Sequence, residues 1–364
     1  MKFNELMISR MGPVITGIAV GVFAPLLVLL GNPGNMGICV ACFERDIAGA
    51  LGFHRAAIVQ YIRPEIIGLI LGSFLSALAF KEFKPRAGSA PAVRFFLGVF
   101  ASIGALIFLG CPWRAYLRLA GGDYNAIFGI AGLFVGILCG IGFISTGYNL
   151  GRTYVAPAES RISGLMMPLF AVCLLALLII APKFGAEGSG PIFFSEKGPG
   201  SMRAPWYAGL TIMLVVGWLA QRSRFCTIGA LRDLVLARDG YLFWGIAALL
   251  IVAAGMNIAL GKFNPGFASQ PVAHTNSLWN FLGMVLSGLC FTLAGGCPGR
   301  QLIMAGEGDG DAAVFILGMI VGAAVSHNFA LASSGAGIGA HAPAGFAFGI
   351  VFCLCVGFFS RKKV

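Results

Sequence analysis

The chain has 364 residues, of which 58% are hydrophobic and only 11% are charged. Soluble domains carry roughly 25% charged residues, so this composition excludes an ordinary soluble globular protein. The formal net charge is +11, with 25 Lys and Arg against 14 Asp and Glu. In a chain this apolar the basic excess indicates membrane topology and not nucleic-acid binding, because Lys and Arg collect in cytoplasmic loops.

Apolar stretches long enough to cross a bilayer recur from one end of the chain to the other. The first of them lacks a small-residue cleavage site, so we expect no cleavable signal peptide. The sequence therefore predicts an all-α polytopic membrane protein embedded in a lipid bilayer. Ten transmembrane helices are predicted, at about 13–30, 63–80, 93–110, 126–147, 163–181, 205–221, 241–260, 278–295, 311–331 and 341–360.

The distribution of basic residues predicts the orientation of these spans. With ten spans both termini lie on the same side, and alternating the loops places sixteen of the 25 Lys and Arg on that side. Cytoplasmic loops carry the excess of basic residues. Both termini are therefore predicted to be cytoplasmic.

Two motifs occur twice, which indicates an internal duplication. CVACFERD begins at Cys39 and CTIGALRD begins at Cys226, and in each the cysteine is followed six residues later by Arg-Asp. A Cys-Pro-X-Arg motif begins at Cys111 and again at Cys297, which is 72 and 71 residues after the first cysteine of each half. After the two Cys-Pro-X-Arg motifs, matching residues of the two copies keep the same spacing without a gap. The chain is therefore predicted to contain two repeats.

An odd number of spans in each repeat makes the repeats inverted. With five spans per repeat, the second copy enters the membrane from the opposite side, as in many secondary transporters. We assign residues 1–162 to the first repeat and 163–364 to the second, with the boundary between about 148 and 205, inside one integrated membrane domain.

The four motif cysteines lie in segments too short or too polar to span a bilayer. Irregular backbone survives at membrane depth only inside protein or beside a wet cavity, so we predict four short re-entrant segments. Pro after Cys111 and Cys297 suits a first helical position. The free N–H groups and positive dipole end of such a helix attract an anion. Cys39, Cys111, Cys226 and Cys297 are the candidate substrate-path residues.

The charged and paired residues around these cysteines allow more than one interpretation. Arg114 and Arg300 could attract an anion, or each could pair with a carboxylate at the membrane edge. Arg45 and Arg232 are further candidates for the substrate path, but because each is followed by Asp, anchoring of loop ends or pairing between the repeats is favoured. Cys42 lies at the Cys-x-x-Cys spacing of a redox or metal pair, but the other repeat has Gly229 in its place.

No metal site or cofactor is predicted. The four histidines, at 54, 274, 327 and 341, lack metal-ligand spacing, and no phosphate-binding loop is present. We expect His327 to be a hydrogen-bonded residue of the ninth span. The five remaining cysteines fall in apolar spans and are predicted to pack as small hydrophobic residues: Cys139, Cys173, Cys290, Cys353 and Cys355.

The doubled Cys-Pro-X-Arg and Cys-x5-Arg-Asp motifs resemble those of the YeeE/YedE sulfur-transport family, and the likeness extends over nearly the whole chain. The stretch GNPGNMGICVACFERDIAGALGFHRAA is more similar to the YedE branch, which is associated with selenium metabolism. The resemblance implies a bacterial inner-membrane carrier in which cysteines at constrictions pass thiosulfate or a related ion along by S–H···S contacts. Some members of this family work with, or are fused to, a TusA-type sulfur-carrier protein; since this chain ends in FFSRKKV without such a domain, we expect any such partner to be a separate chain.

The prediction is therefore an uptake transporter for a small sulfur- or selenium-containing anion, and not an enzyme. Two alternatives remain open. A membrane thiol or persulfide oxidoreductase would need a thiol of low pKa beside a resolving cysteine. A membrane subunit of a selenium or sulfur enzyme system would show no transport in isolation.

Overall fold

The computed structural model describes residues 3–181 and 191–361, and most of these are helical. Residues 182–190, inside the predicted boundary between the repeats, lie outside the described part. In chain order the α-helices are α1 (Phe3–Ile8), α2 (Met11–Leu29), α3 (Val40–Ala50), α4 (Pro64–Ala79), α5 (Pro91–Phe108), α6 (Pro112–Ala120), α7 (Asn125–Ser145), α8 (Met166–Ile180), α9 (Trp206–Ser223), α10 (Thr227–Leu236), α11 (Phe243–Ala259), α12 (Ser277–Ala294), α13 (Pro298–Gly306), α14 (Gly310–Asn328) and α15 (Ala342–Phe359).

Elements other than α-helix are short. Strands β1 (Arg86–Ala87) and β2 (Tyr154–Val155) form a two-stranded antiparallel sheet. A 3-10 helix covers Ala158–Leu165 and leads into α8.

Each of the ten predicted spans overlaps one long helix, namely α2, α4, α5, α7, α8, α9, α11, α12, α14 or α15. Among the described residues, seven helical stretches are long and apolar enough to cross a membrane: Met11–Leu29, Pro91–Ala120, Asn125–Ser145, Arg161–Ile180, Ser277–Gly306, Gly310–Asn328 and Ala342–Phe359. Pro64–Ala79 and Phe243–Ala259 are shorter apolar helices. The prediction of a multi-pass helical membrane protein is confirmed.

The outer surface of the long helices carries large apolar side chains. Leu169, Ile180, Phe348 and Phe359 are between 62% and 86% exposed. Contiguous apolar surface of this kind is a liability in water and indicates contact with a membrane or another protein. A hydrocarbon environment accounts for it, because lipid tails solvate such side chains well.

Long helices of the first half pack closely against long helices of the second. The four principal pairs are α2 with α11, α4 with α9, α5 with α14 and α7 with α12. Glycine makes the close approach possible in each pair, since a Cβ atom would fall on the neighbouring backbone. It would lie 2.0 to 2.2 Å from a carbonyl oxygen of the partner helix at Gly17, Gly72, Gly132 and Gly318.

The short helices α3, α6 and α13 are largely buried inside this arrangement of long helices, whereas α10 is buried only at its start, at residues 227–230. Helix α3 packs against α4, α5 and α14, and all of its eleven residues are buried. Helix α6 contacts α7 and α11, α13 contacts α4 and α14, and α10 contacts α7 and α11. Each of these short helices lies between two long helices in the chain, and the residue that precedes it explains where it begins.

Candidate functional site

Each of the four short helices begins directly after one of the motif cysteines. Cys39 precedes α3, Cys111 precedes α6, Cys226 precedes α10 and Cys297 precedes α13. All four cysteines have extended backbone, as N-cap residues do. Proline occupies the first turn of α6 and α13, as its missing N–H predicts. The free N–H groups of four helices are thus directed towards cysteine side chains.

Three of the cysteine sulfur atoms accept a hydrogen bond from their own helix. The Sγ atoms of Cys39 and Cys226 accept from the backbone N–H groups of Cys42 and Gly229, both at 3.3 Å. The Sγ atom of Cys297 accepts from the N–H of Arg300 at 3.4 Å. Cysteine therefore takes the place that Ser, Thr, Asp or Asn usually has at an N-cap, which fixes its sulfur at the positive end of the helix dipole.

The four cysteines form two pairs, one in each half. The side chain of Cys39 neighbours that of Cys111, and the side chain of Cys226 neighbours that of Cys297. All four are buried, with at most 6% exposure. Each pair brings together residues that are about 70 positions apart in the sequence. The structure thus joins the two motifs of each half at one place.

Arg114 is a fully buried cation beside the first pair. Its guanidinium donates to the carbonyl oxygens of Asn35, Leu109, Pro271 and Val272. Its Nη1 atom lies 3.6 Å from the Sγ atom of Cys42. None of its partners among the described residues is a carboxylate. Its charge is therefore hydrogen-bonded but not compensated by an ion pair.

Arg300, the corresponding residue of the second half, has a carboxylate partner. Its Nη1 atom lies 3.1 Å from the Oε1 atom of Glu307. The Oε2 atom of Glu307 also forms ion pairs with Arg224 Nη1 at 3.5 Å and with Arg86 Nη2 at 3.6 Å. The sequence allowed two interpretations of these arginines, attraction of an anion or pairing with a carboxylate. Arg300 is paired with a carboxylate, and Arg114 has no carboxylate partner among the described residues.

The Arg-Asp pairs of the two halves also differ in burial. Arg45 and Asp46 form an ion pair at 2.7 Å, and Arg63 holds the second oxygen of Asp46 at 2.7 Å. All three side chains are at most 2% exposed. Arg232 and Asp233 are ion-paired at 2.8 Å and are about one-third exposed. The sequence did not identify Arg63, whose contact depends on the turn after α3.

Some predicted roles do not match the structure. His327 was predicted to be hydrogen-bonded, but its Nε2 atom is buried without a partner, and its ring instead stacks on His54 with centroids 4.5 Å apart. Cys139, Cys173 and Cys355 were predicted to pack as small hydrophobic residues of apolar spans, and they lie exposed on α7, α8 and α15.

The prediction for Cys290 and Cys353 agrees with the arrangement of side chains. Cys290 and Cys353 are buried, and their sulfur atoms are 3.3 Å apart. Within residues 3–181 and 191–361, no group of three or more His, Cys, Asp or Glu side chains could hold a metal ion.

Two buried polar residues were not found from the sequence. Trp113 is fully buried, and its Nε1 atom has no hydrogen-bond partner. Glu44 on α3 is also fully buried, with neither carboxyl oxygen hydrogen-bonded. Each differs from its counterpart in the other half, Gly299 and Leu231. That difference between the repeats is the signal that could have identified them.

Comparison with known proteins shows which family part of this chain is similar to. Residues 222–348 match the profile of the family described as "Sulphur transport". The match covers the second pair of cysteines and confirms the family resemblance drawn from the motifs. The selenium branch stays a prediction.

Two curated relatives carry the same name. The chain is 31% identical over 102 residues to the thiosulfate transporter TsuA of Spirochaeta thermophila, and 29% identical over 102 residues to the thiosulfate transporter TsuA of Escherichia coli. Each match covers 28% of this chain and spans 30% and 28% of the respective relative. The similarity therefore covers less than a third of this chain and less than a third of each relative.

Proposed function

We propose that this protein imports thiosulfate across the bacterial inner membrane, along a path lined by Cys39, Cys111, Cys226 and Cys297. The observation that carries the proposal is the burial of Arg114, without a carboxylate partner among the described residues, beside the first pair of thiols. A buried cation without a counter-ion is costly, so an anion that supplies the missing charge is bound favourably. The names of the two relatives support thiosulfate as that anion.

The chemistry of thiosulfate matches the two kinds of group at the site. Its oxygen end carries negative charge, which Arg114 and the helix N-termini can bind. Its terminal sulfur is soft and polarisable, and thiols can contact it through S–H···S interactions. Sulfate lacks the soft end and is expected to bind less well, whereas selenium analogues keep it. Weak binding at two successive cysteine pairs lets the ion leave each one.

The transport path lies inside ten spans arranged as two inverted repeats of five, with α8 as the fifth span of the first repeat and the boundary between about 148 and 205. The packing of the long helices supports this arrangement. In the two repeats α2 corresponds to α9, α4 to α11, α5 to α12 and α7 to α14. When each helix is replaced by its counterpart, the α2–α11 contact becomes α9–α4 and the α5–α14 contact becomes α12–α7, and all four contacts are present. Both termini are then cytoplasmic. Fusions of alkaline phosphatase and a fluorescent protein to successive loops test this topology, and a terminus in the periplasm would overturn it.

A separate TusA-type sulfur-carrier protein is a proposed partner at the cytoplasmic exit. We assign this chain to transport and not to catalysis, in line with the names of its relatives. The thiol-oxidoreductase alternative requires Cys42 as a resolving cysteine for Cys39. A Cys42→Ser variant that retains uptake excludes that mechanism.

The test is uptake of radiolabelled thiosulfate into proteoliposomes that contain only this protein. We expect Cys111→Ser and Cys297→Ser to abolish uptake, because each removes one thiol from a pair. Cys173→Ser is the matched control, since Cys173 is exposed on α8, and it should leave uptake unchanged. Unlabelled sulfate should not compete, whereas selenosulfate should.

Two outcomes would contradict the proposal. Folded wild-type protein that takes up no thiosulfate is not an autonomous thiosulfate importer. Uptake that survives in both Cys111→Ser and Cys297→Ser shows that the thiols do not line the path.

A further inference from the structure

The two Cys-Pro-X-Arg motifs differ most in the residue after proline. It is Trp113 in the first half and Gly299 in the second. The two positions are in contact, because a Cβ atom on Gly299 would lie 2.8 Å from the Cζ2 atom of Trp113. The indole ring therefore occupies the space that the missing side chain of the second motif leaves free.

Trp113 also contacts the other motif of the second half. Its ring meets the ring of Phe225 edge to face, with centroids 5.6 Å apart. Phe225 directly precedes Cys226, and Gly299 follows Cys297 by two residues. Trp113 itself follows Cys111 by two residues. One side chain of the first Cys-Pro motif thus contacts residues near both cysteines of the second pair.

The polar atom of this ring has no partner. The Nε1 atom of Trp113 is buried and would lie 3.3 Å from a Cβ atom on Gly299. Its N–H donates no hydrogen bond. Buried indole N–H groups usually find an acceptor, because leaving the donor unpaired is costly. Phenylalanine would fill much of the same space without that cost. The unpaired N–H is explained if an acceptor is present only during part of the transport cycle.

We propose that Trp113 is the barrier between the two cysteine pairs and that its indole N–H donates a hydrogen bond to the anion as it passes. This inference rests on the proposed transport function and adds a specificity-determining residue to it. The ring closes the path when no anion is present, and it leaves its place against Gly299 when the anion passes. The N–H selects for anions, since it can donate but not accept.

The experiment compares Trp113→Phe, Trp113→Ala and Trp218→Phe in the proteoliposome assay, with size-exclusion profiles to verify folding. Trp218 is the matched control, because its ring also makes an edge-to-face contact, with Phe80 at 5.8 Å. Trp113→Phe keeps an aromatic barrier without the N–H, and we expect its KM for thiosulfate to rise roughly 10- to 100-fold, the range for a hydrogen bond to a charged group. Trp218→Phe should keep the wild-type KM. Trp113→Ala should conduct chloride, measured with a halide-sensitive dye inside the vesicles.

A second variant tests the barrier without removing the tryptophan. Gly299→Ala places a methyl group against the ring, so the maximal uptake rate should fall more than the KM changes. The double variant Trp113→Phe/Gly299→Ala should recover part of that rate, because the smaller ring restores the space. Loss of rate without this recovery would argue against a steric contact between the two residues.

The outcomes separate this inference from the function on which it rests. If the wild-type protein takes up no thiosulfate, the proposed function fails. If the wild type transports, but Trp113→Phe keeps the wild-type KM and Trp113→Ala conducts no chloride, the function stands and the role of Trp113 is overturned.

Discussion

The Cys-Pro sites of the two halves begin the same kind of helix but hold the following arginine in different ways. Arg114 is fully buried and donates to carbonyl oxygens, whereas Arg300 is partly exposed and ion-paired with Glu307. The two sites thus share a cysteine followed by a helix that begins with proline, but the side chains around the arginine differ. Arg114 has no carboxylate partner among the described residues, whereas the charge of Arg300 is already compensated. For the transport that we propose, this difference favours binding at the first site and release at the second.

The largest expected difference concerns the acidic residues of the Arg-Asp pairs. Asp46→Asn leaves the buried side chains of Arg45 and Arg63 without their carboxylate, which should lower the free energy of unfolding by about 3–5 kcal/mol. Asp233→Asn breaks a partly exposed pair and should cost no more than about 1 kcal/mol. Denaturant titration in mixed micelles measures both. Equal losses would show that burial does not distinguish the two pairs.

The next prediction concerns the two arginines. Arg114→Gln removes the unpaired cation, so the affinity for thiosulfate should fall roughly a hundred-fold, or about 3 kcal/mol. Arg300→Gln should change the affinity by less than about three-fold, because Arg300 is already held by Glu307. Binding of labelled thiosulfate to the detergent-solubilised protein measures both variants. A larger effect at Arg300 would reverse the assignment of the binding half.

A smaller effect is expected at Glu44, whose counterpart in the second half is Leu231. Replacing a buried, unpartnered polar group by an apolar one of similar shape is often stabilising, so Glu44→Leu should raise the free energy of unfolding by about 1 kcal/mol. Glu44→Gln is the control, since it keeps a buried polar group and should not stabilise. Destabilisation by leucine would show that the carboxyl group has a role that the static contacts do not reveal.

The smallest effect is expected at Cys42, where the second half has Gly229. The contact between its Sγ atom and Arg114 is long, at 3.6 Å, and hydrogen bonds to sulfur are weak. Cys42→Ala should therefore raise the KM for thiosulfate by no more than about five-fold, the equivalent of about 1 kcal/mol. Complete loss of uptake would restore the redox interpretation of Cys39 and Cys42. The measurement is the concentration dependence of uptake.

Much of the framework could be predicted because it depends on local patterns. Apolar runs marked all ten long helices, and proline after Cys111 and Cys297 marked where α6 and α13 begin. The pairing of Arg300 also had a local signal, since Glu307 lies seven residues further on, whereas the first half has Gly121 at that position. Comparing the repeats position by position would have separated the two arginines.

The remaining features depend on contacts between distant parts of the chain. The carbonyl groups that bind Arg114 come partly from Pro271 and Val272, more than 150 residues away. The contact between Trp113 and Gly299 crosses from one half to the other. No pattern in the sequence specifies which loop approaches a given side chain, because that depends on how the long helices pack.

The close glycine contacts between long helices constrain how the protein can move. Each of the four principal pairs joins one helix from each half, with backbone against backbone. Neither half can rock as a rigid body without separating all four contacts at once. For the transport cycle that we propose, we therefore expect the four short helices and the side chains at their starts to move more than the long helices. Spectroscopic distances between labels on the long helices should stay constant while the interior rearranges.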